Sequence, residues 1–361
     1  MAHVLTRNVE PTGGAPNVRR TDGMAVQPLM VSAEAYLHAS TRGMFRYRSS
    51  LGAPHCWKEV NETVKALSLE GGLEVIFAER SEMCEPQLFE RLQSLAFHPG
   101  TVQFVLIFVN ADGQLHGSTQ DKLMKWLPNM QACYTNNLAH TARPGVFYPM
   151  PLGLASHHWA PYNRVVYEPV LRRFRAISLP WSGRSSKVLM YAGEARVHSP
   201  GGPSIKPTRL KLLKHLSSAE FAALVDPVFE RVKFEQVLQK TGEHRFVLSP
   251  PGVGYDAFRT WETLAMGSIP VVVVLPWMDQ RLFDGFPVVR LPHNFSKITP
   301  SYLGQLLEEA KAPKEPIPGL YVTHWQNRWW EHLQDGRRRN RATERHALRS
   351  NIQNPMHKSA R

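Results

Sequence analysis

The chain has 361 residues, 43% hydrophobic and 10% aromatic, enough to build two cores of ordinary domain size. It has no apolar run of the length a membrane-spanning helix needs, and its three scattered cysteines, Cys56, Cys84 and Cys133, exclude a disulfide framework or a zinc site and read as reduced structural thiols. The net charge of +13 suggests nucleic acid or acidic surfaces until it is located: residues 337–361 carry eight Arg or Lys against one Glu, more than half of the excess.

Residues 1–40 are rich in Pro, Gly, Asn and Arg without a period and read as a poorly ordered lead-in. Segment 64–81 reads as a helix, a Gly-Gly turn and the strand LEVIFA; 86–97 has helical spacing. Segment 101–113 is a strong buried strand, with seven of its first nine residues Val, Phe, Leu or Ile, ending in the turn Asn110-Ala111-Asp112-Gly113. A helix follows over 118–130, capped by Ser118 or Thr119 and stopped at Pro128, with short strands at 133–135 and within 145–154. A helical stretch then gives way to Pro, Ser and Gly, placing a domain boundary near 180–186. Beyond it come a strand at 185–195, a loop at 198–204, a basic helix at 206–218 and a helical stretch at 228–242. Strands at 244–249, 270–275 and 286–291 follow, then a helix over 299–312 with Thr299 as cap and Pro300 in its first turn, and an aromatic helix over 322–334.

Strands alternate with helices in both halves, and the strands are apolar throughout. That predicts an α/β class with two parallel, helix-covered sheets. The expected division is a lead-in at 1–40, one α/β domain at 41–180, a second at 181–336 and a basic disordered tail at 337–361. The tail reads as a solvated run, with a localisation signal or RNA-binding arm as the alternatives. The rest lacks the interleaved basic and aromatic residues of a nucleic-acid platform.

The stretch 246–271, FVLSPPGVGYDAFRTWETLAMGSIPV, carries the chemistry. A strand ends in a loop with Gly252 and Gly254, which allow close backbone approach. A helix then starts near Asp256 and stops at Gly267. At the carboxyl end of a parallel strand, the first turn of such a helix favours an anion. Arg259 can fork onto phosphate oxygens. Glu262, one turn on and on the same side, can accept ribose hydroxyls. An ordinary surface ion pair is the alternative for these two residues.

This block closely resembles the nucleotide-sugar motif of exostosin-like glycosyltransferases. It matches at Phe246, Leu248, Ser249, Pro250, Gly252, Gly254, Asp256, Arg259, Thr260, Trp261, Glu262, Leu264, Gly267, Ile269, Pro270 and Val271. FVNAD (108–112), FYPMPLGLASHHW (147–159), FPVVRL (286–291) and THWQNRWW (323–330) are weaker echoes. The resemblance implies a GT-B-like fold, two Rossmann-like domains facing a cleft. It also implies transfer from a nucleoside-diphosphate sugar, a UDP-sugar foremost, to a glycan or glycoprotein hydroxyl with inversion. The first domain would hold the acceptor. In the second, Ser249, Gly252, Gly254 and Asp256 would line the nucleotide, Arg259 the pyrophosphate and Glu262 the ribose. Golgi residence is implied too, although the opening residues show neither signal peptide nor membrane anchor. Phe258 stands where the family often has His, and Val253 where it often has Asn. Both changes remove polar groups, which keeps a catalytically degenerate nucleotide-sugar-binding or scaffold protein as the alternative.

Asp112 is the candidate general base for the acceptor hydroxyl, with a plain turn residue as the alternative. His157 and His158 read as cleft-facing or as ordinary surface or core histidines. Lys206, Arg209 and Lys211 read as diphosphate-facing or as a solvated helix face. No Asp-x-Asp occurs, so no metal or other cofactor is expected, and arginine with the helix dipole would stabilise the leaving group.

Overall fold

A computed structural model describes residue 30 and residues 42–44, 47–48, 54–55, 72–79, 102–109, 114–140, 143, 145–154, 164–192, 206–230, 232–252 and 254–353. Two five-stranded parallel sheets organise it. The first contains β1 (Arg42–Met44), β4 (Gly72–Glu79), β5 (Val102–Val109), β6 (Met130–Thr135) and β7 (Phe147–Pro149), side by side in chain order. A small antiparallel pair, β2 (Tyr47–Arg48) and β3 (Pro54–His55), is separate. The second contains β8 (Ser185–Tyr191), β9 (Val225–Val228), β10 (His244–Ser249), β11 (Ile269–Val274) and β12 (Val289–Pro292), arranged β12-β11-β10-β8-β9. The described helices are α1 (Gly117–Trp126), α2 (Arg164–Ala176), α3 (Lys206–Leu216), α4 (Phe234–Glu243), α5 (Phe258–Ala265), α6 (Pro300–Glu309) and α7 (Val322–Gln353).

Both sheets are buried on two faces, which is why their strands lack polar alternation. On β5, Phe104, Leu106 and Phe108 join Leu123 and Leu127 around α1. Val105, Ile107 and Val109 pack on the other face, against Val322, Trp325, Trp329 and Leu333 of α7. In the second unit Phe246 and Leu248 of β10 face the large core with Leu171, Trp261 and Leu264, while Val247 faces Val237 of α4. These are the two Rossmann-like α/β units that the strand–helix alternation predicts. Loops at the carboxyl ends of β6 in one unit and of β10 and β11 in the other meet, as a GT-B-like arrangement requires.

Several expectations are corrected. β9 ends at Val228, the first residue of the stretch read as helical over 228–242, and α4 begins only at Phe234. Its Pro227 is tolerated because β9 is an edge strand. α1 starts at Gly117, after His116, rather than at a Ser118 or Thr119 cap. α2 lies before the expected boundary at 180, yet its Leu171 packs in the second core. α7 lies in the expected second domain, yet covers the first sheet. The helix also runs through Gln353, so much of the expected disordered tail is a continuation of α7. The lead-in before residue 30, the helix over 86–97, the loop at 198–204 and residues 354–361 lie outside the described residues.

Candidate functional site

The strand order of the second sheet runs outward from β8 to β9 in one direction, and through β10, β11 and β12 in the other. Such a reversal leaves a crevice beyond the carboxyl ends of the two diverging strands, here β8 and β10. The 249–262 stretch stands there. β10 ends at Ser249, the loop carries Gly252 and Gly254, and α5 starts at Phe258 with no side-chain cap on its first turn. An uncapped first turn keeps its N–H dipoles directed at whatever sits before the helix.

Arg259 is laid across this point. Its guanidinium lies 5.0 Å from the ring centre of Tyr191, the last residue of β8. Its Nη1 is 3.5 Å from Glu262 Oε2, with the side chains only 19% and 10% exposed. The pair is therefore half-sheltered beside the switch point, not an open surface pair. Tyr191 is a site residue that the sequence reading missed; its only signal is the aromatic end of the strand SSKVLMY.

Ser249 and Asp256 are engaged within the protein. Ser249 Oγ and Thr260 Oγ1 are hydrogen-bonded at 2.8 Å, tying the strand end to α5. Asp256 Oδ1 accepts from Trp261 Nε1 at 2.7 Å, and Oδ2 accepts from the Leu152 N–H at 2.6 Å. Burial pushes the Asp256 carboxyl up to about 7, against the opposing pull of the N–H donors from Leu152, Trp261 and Ala257. These bonds make Asp256 a fastener of the loop, in the first instance to the other unit. Gly252 has open space where a Cβ would stand, whereas a Cβ on Gly254 would overlap the Asn137 carboxamide. Of the two glycines, Gly254 is the one that close approach demands.

The far end of α5 is fixed separately. Gly267 turns the chain at φ +69, and the buried Arg184 donates to the carbonyls of Leu179, Met266 and Gly267 and to Ser268 Oγ. A cation at a helix C-terminus satisfies the orphan carbonyls and complements the dipole. Burial, with Arg175 nearby, lowers the Arg184 guanidinium to about 10. The helix that presents Arg259 and Glu262 is thus anchored at its rear.

From the first unit, residues 136–140 approach the loop, as does the passage 150–154 that leads from β7 into the second core. Asp112, His157, His158 and Val253 lie outside the described residues, as does the side chain of Lys206. Arg209 and Lys211 sit in α3. Two cavities lie elsewhere. One of about 250 Å³ is bounded by Arg172, Arg175, Leu264 and Tyr321, and one of about 490 Å³ by Phe286, Val288, Lys311 and Pro318. Neither includes Ser249–Glu262.

No protein-family model matches the sequence, and no curated protein matches it. Among solved structures the chain is similar to an α,α-trehalose-6-phosphate synthase from Burkholderia multivorans, at 9% identity and TM-score 0.32, over 82% of this chain and 75% of that one. It is similar also to a UDP-forming α,α-trehalose-phosphate synthase from Burkholderia vietnamiensis, at 10% identity and TM-score 0.32, over 76% and 73%. A third is the UDP-forming enzyme from Burkholderia xenovorans in complex with glucose-6-phosphate, at 9% identity and TM-score 0.33, over 73% and 70%.

Proposed function

We propose that the protein is a glycosyltransferase that uses a nucleoside-diphosphate sugar, a UDP-sugar foremost, and transfers the sugar to a glycan or glycoprotein hydroxyl with inversion. The observation that carries this reading is the placement of the 249–262 stretch over the strand-order reversal between β8 and β10. A parallel sheet binds nucleotides at that place, and the exostosin-like motif over 246–271 falls there.

In this reading the diphosphate lies before the first turn of α5, with Arg259 as its counter-charge and Glu262 one turn further on for the ribose. The leaving diphosphate gains negative charge as the glycosidic bond breaks. The helix N-terminus and Arg259 would stabilise that charge. The acceptor enters from the first unit, whose strand ends face the loop, and Asp112 is the proposed base for its hydroxyl. The Golgi is the compartment this reading proposes.

Phe258 favours a second reading, a nucleotide-sugar-binding protein without transfer, because an apolar ring stands beside Arg259 where the motif often has a histidine. Two measurements separate the readings. Nucleoside diphosphates are titrated by calorimetry, and nucleotide release is followed from a panel of nucleotide sugars with mixed glycan acceptors. Binding with release supports transfer; binding without release supports the second reading. The absence of any binding refutes both.

A further inference from the structure

Residues 136–140 leave β6 and run as a strap between the loops that follow β10 and β11. The Leu138 carbonyl accepts from the Tyr255 hydroxyl at 2.6 Å and from the Asp279 N–H at 3.0 Å. Ala139 bridges Met278, and the His140 N–H donates to the Trp277 carbonyl at 2.7 Å. These are largely backbone contacts, open to many side chains at 138–140. Asn137 differs, because both its conformation and its side chain are used. Its φ is +52, a left-handed conformation that Asn adopts more readily than most residues. Its Oδ1 accepts the Asp256 N–H at 3.0 Å, between groups 119 residues apart in the chain. Its carboxamide fills the space where a Cβ on Gly254 would stand. That overlap with Asn137 demands glycine at 254. The Gly252 N–H donates to the Gly254 carbonyl at 2.9 Å, so Asn137 packs against a residue that also holds Gly252.

We infer that Asn137 is a positioning residue: from the first unit, it sets the shape of the 250–256 loop in the second and thereby the fit of a nucleoside diphosphate at the end of β10. The ligand class rests on the proposed function; the control of loop shape does not. Asn137 touches no reacting atom in this scheme. It acts through the Asp256 amide and the glycine turn, so the loop is complete only when the two units are in register.

The full-length protein tests this with three variants, Asn137→Gly, Gly254→Ala and the double. Glycine at 137 keeps the left-handed backbone free of strain, so the single variant reports the side chain. Amide hydrogen exchange without ligand should rise about tenfold over 252–256, the positions of the loop that carry an amide hydrogen, in Asn137→Gly, the effect of one lost sheltered hydrogen bond, while β10 and β11 stay protected. UDP affinity by calorimetry should fall by a similar factor of about ten. Gly254→Ala should act the same way, because its methyl displaces the same carboxamide. The double variant should be no worse than the worse single, since the collision has gone. Unchanged exchange over 252–256 in Asn137→Gly overturns the inference. So does a double variant whose effect is the sum of the two singles. If wild type fails to bind UDP or any other nucleoside diphosphate, the nucleotide reading falls, and the exchange measurement still decides the role of Asn137.

Discussion

Asp256→Asn exposes the coupling between the loop and the other unit through its dependence on pH. Both carboxyl oxygens of Asp256 accept hydrogen bonds, one from Trp261 and one from the backbone of Leu152. Asparagine offers one acceptor oxygen, so one of these buried donors would face an amide NH2, at about 1–3 kcal/mol. The wild-type carboxyl carries an opposite burden. Its folded pKa of about 7 lies above the ordinary 3.8, so ionisation disfavours the folded state. This contribution is fully present below pH 3.8 and is lost as pH rises through 7. Between pH 5 and pH 8 the wild type should lose about 2.5 kcal/mol through this group alone. Asparagine does not titrate. The difference between wild type and variant should therefore move by that amount in favour of the variant over the same interval, leaving Asp256→Asn the more stable protein at pH 8. Guanidinium unfolding followed by tryptophan fluorescence at both pH values measures the gap, and taking the difference cancels the other titrating groups. A gap that is the same at pH 5 and pH 8 would refute the reasoning about burial.

Glu262→Gln keeps the shape and removes the charge that the ribose hydroxyls would use, so UDP affinity should fall roughly ten- to a hundredfold with little change in melting; equal affinity by calorimetry would reduce the Arg259–Glu262 spacing to an ion pair. Arg184→Met strips the donors from the rear of α5, and at roughly 1 kcal/mol per bond denaturant unfolding should show a loss of about 3–4 kcal/mol. Thr299 caps α6, with Oγ1 accepting the Tyr302 N–H at 3.1 Å, so Thr299→Ala should cost about 1 kcal/mol in the same assay and leave nucleotide binding alone.

The parts of the fold that the sequence makes legible are those whose causes are local. β5 and β10 announce themselves because burial on both faces forces unbroken apolar runs, and α6 does so through Thr299 and Pro300. β9 is hidden because Asp226 and Pro227 are poor strand residues, acceptable only where one side of the strand is unpaired. The arginine-rich end of α7 reads as disorder when composition alone is weighed. Its helix continues a segment anchored by Trp325, Trp329 and Leu333. The site divides in the same way. Gly254, Arg259 and Glu262 are visible as a motif because they share one loop and one helix. Tyr191 and Asn137 come from other strands, and only the assembled sheets bring them to the loop. The motif matches at Ser249 and Asp256 carry a different meaning from the one first read, since their polar atoms fasten the loop.

The path of α7 has a practical meaning for anyone dividing this protein. After β7 the chain enters the second core at Leu154 and leaves it at Leu320 before Val322 joins the first; Met30, ahead of β1, packs in that second core as well. A fragment ending near residue 180 would lack Trp325, Trp329 and Leu333, and one face of its sheet, including Val105, Ile107 and Tyr134, would stand in water. Such a fragment is an aggregation hazard and not a domain. Complementation would work better than excision: residues 322–353 supplied as a separate peptide have a ready-made apolar seat.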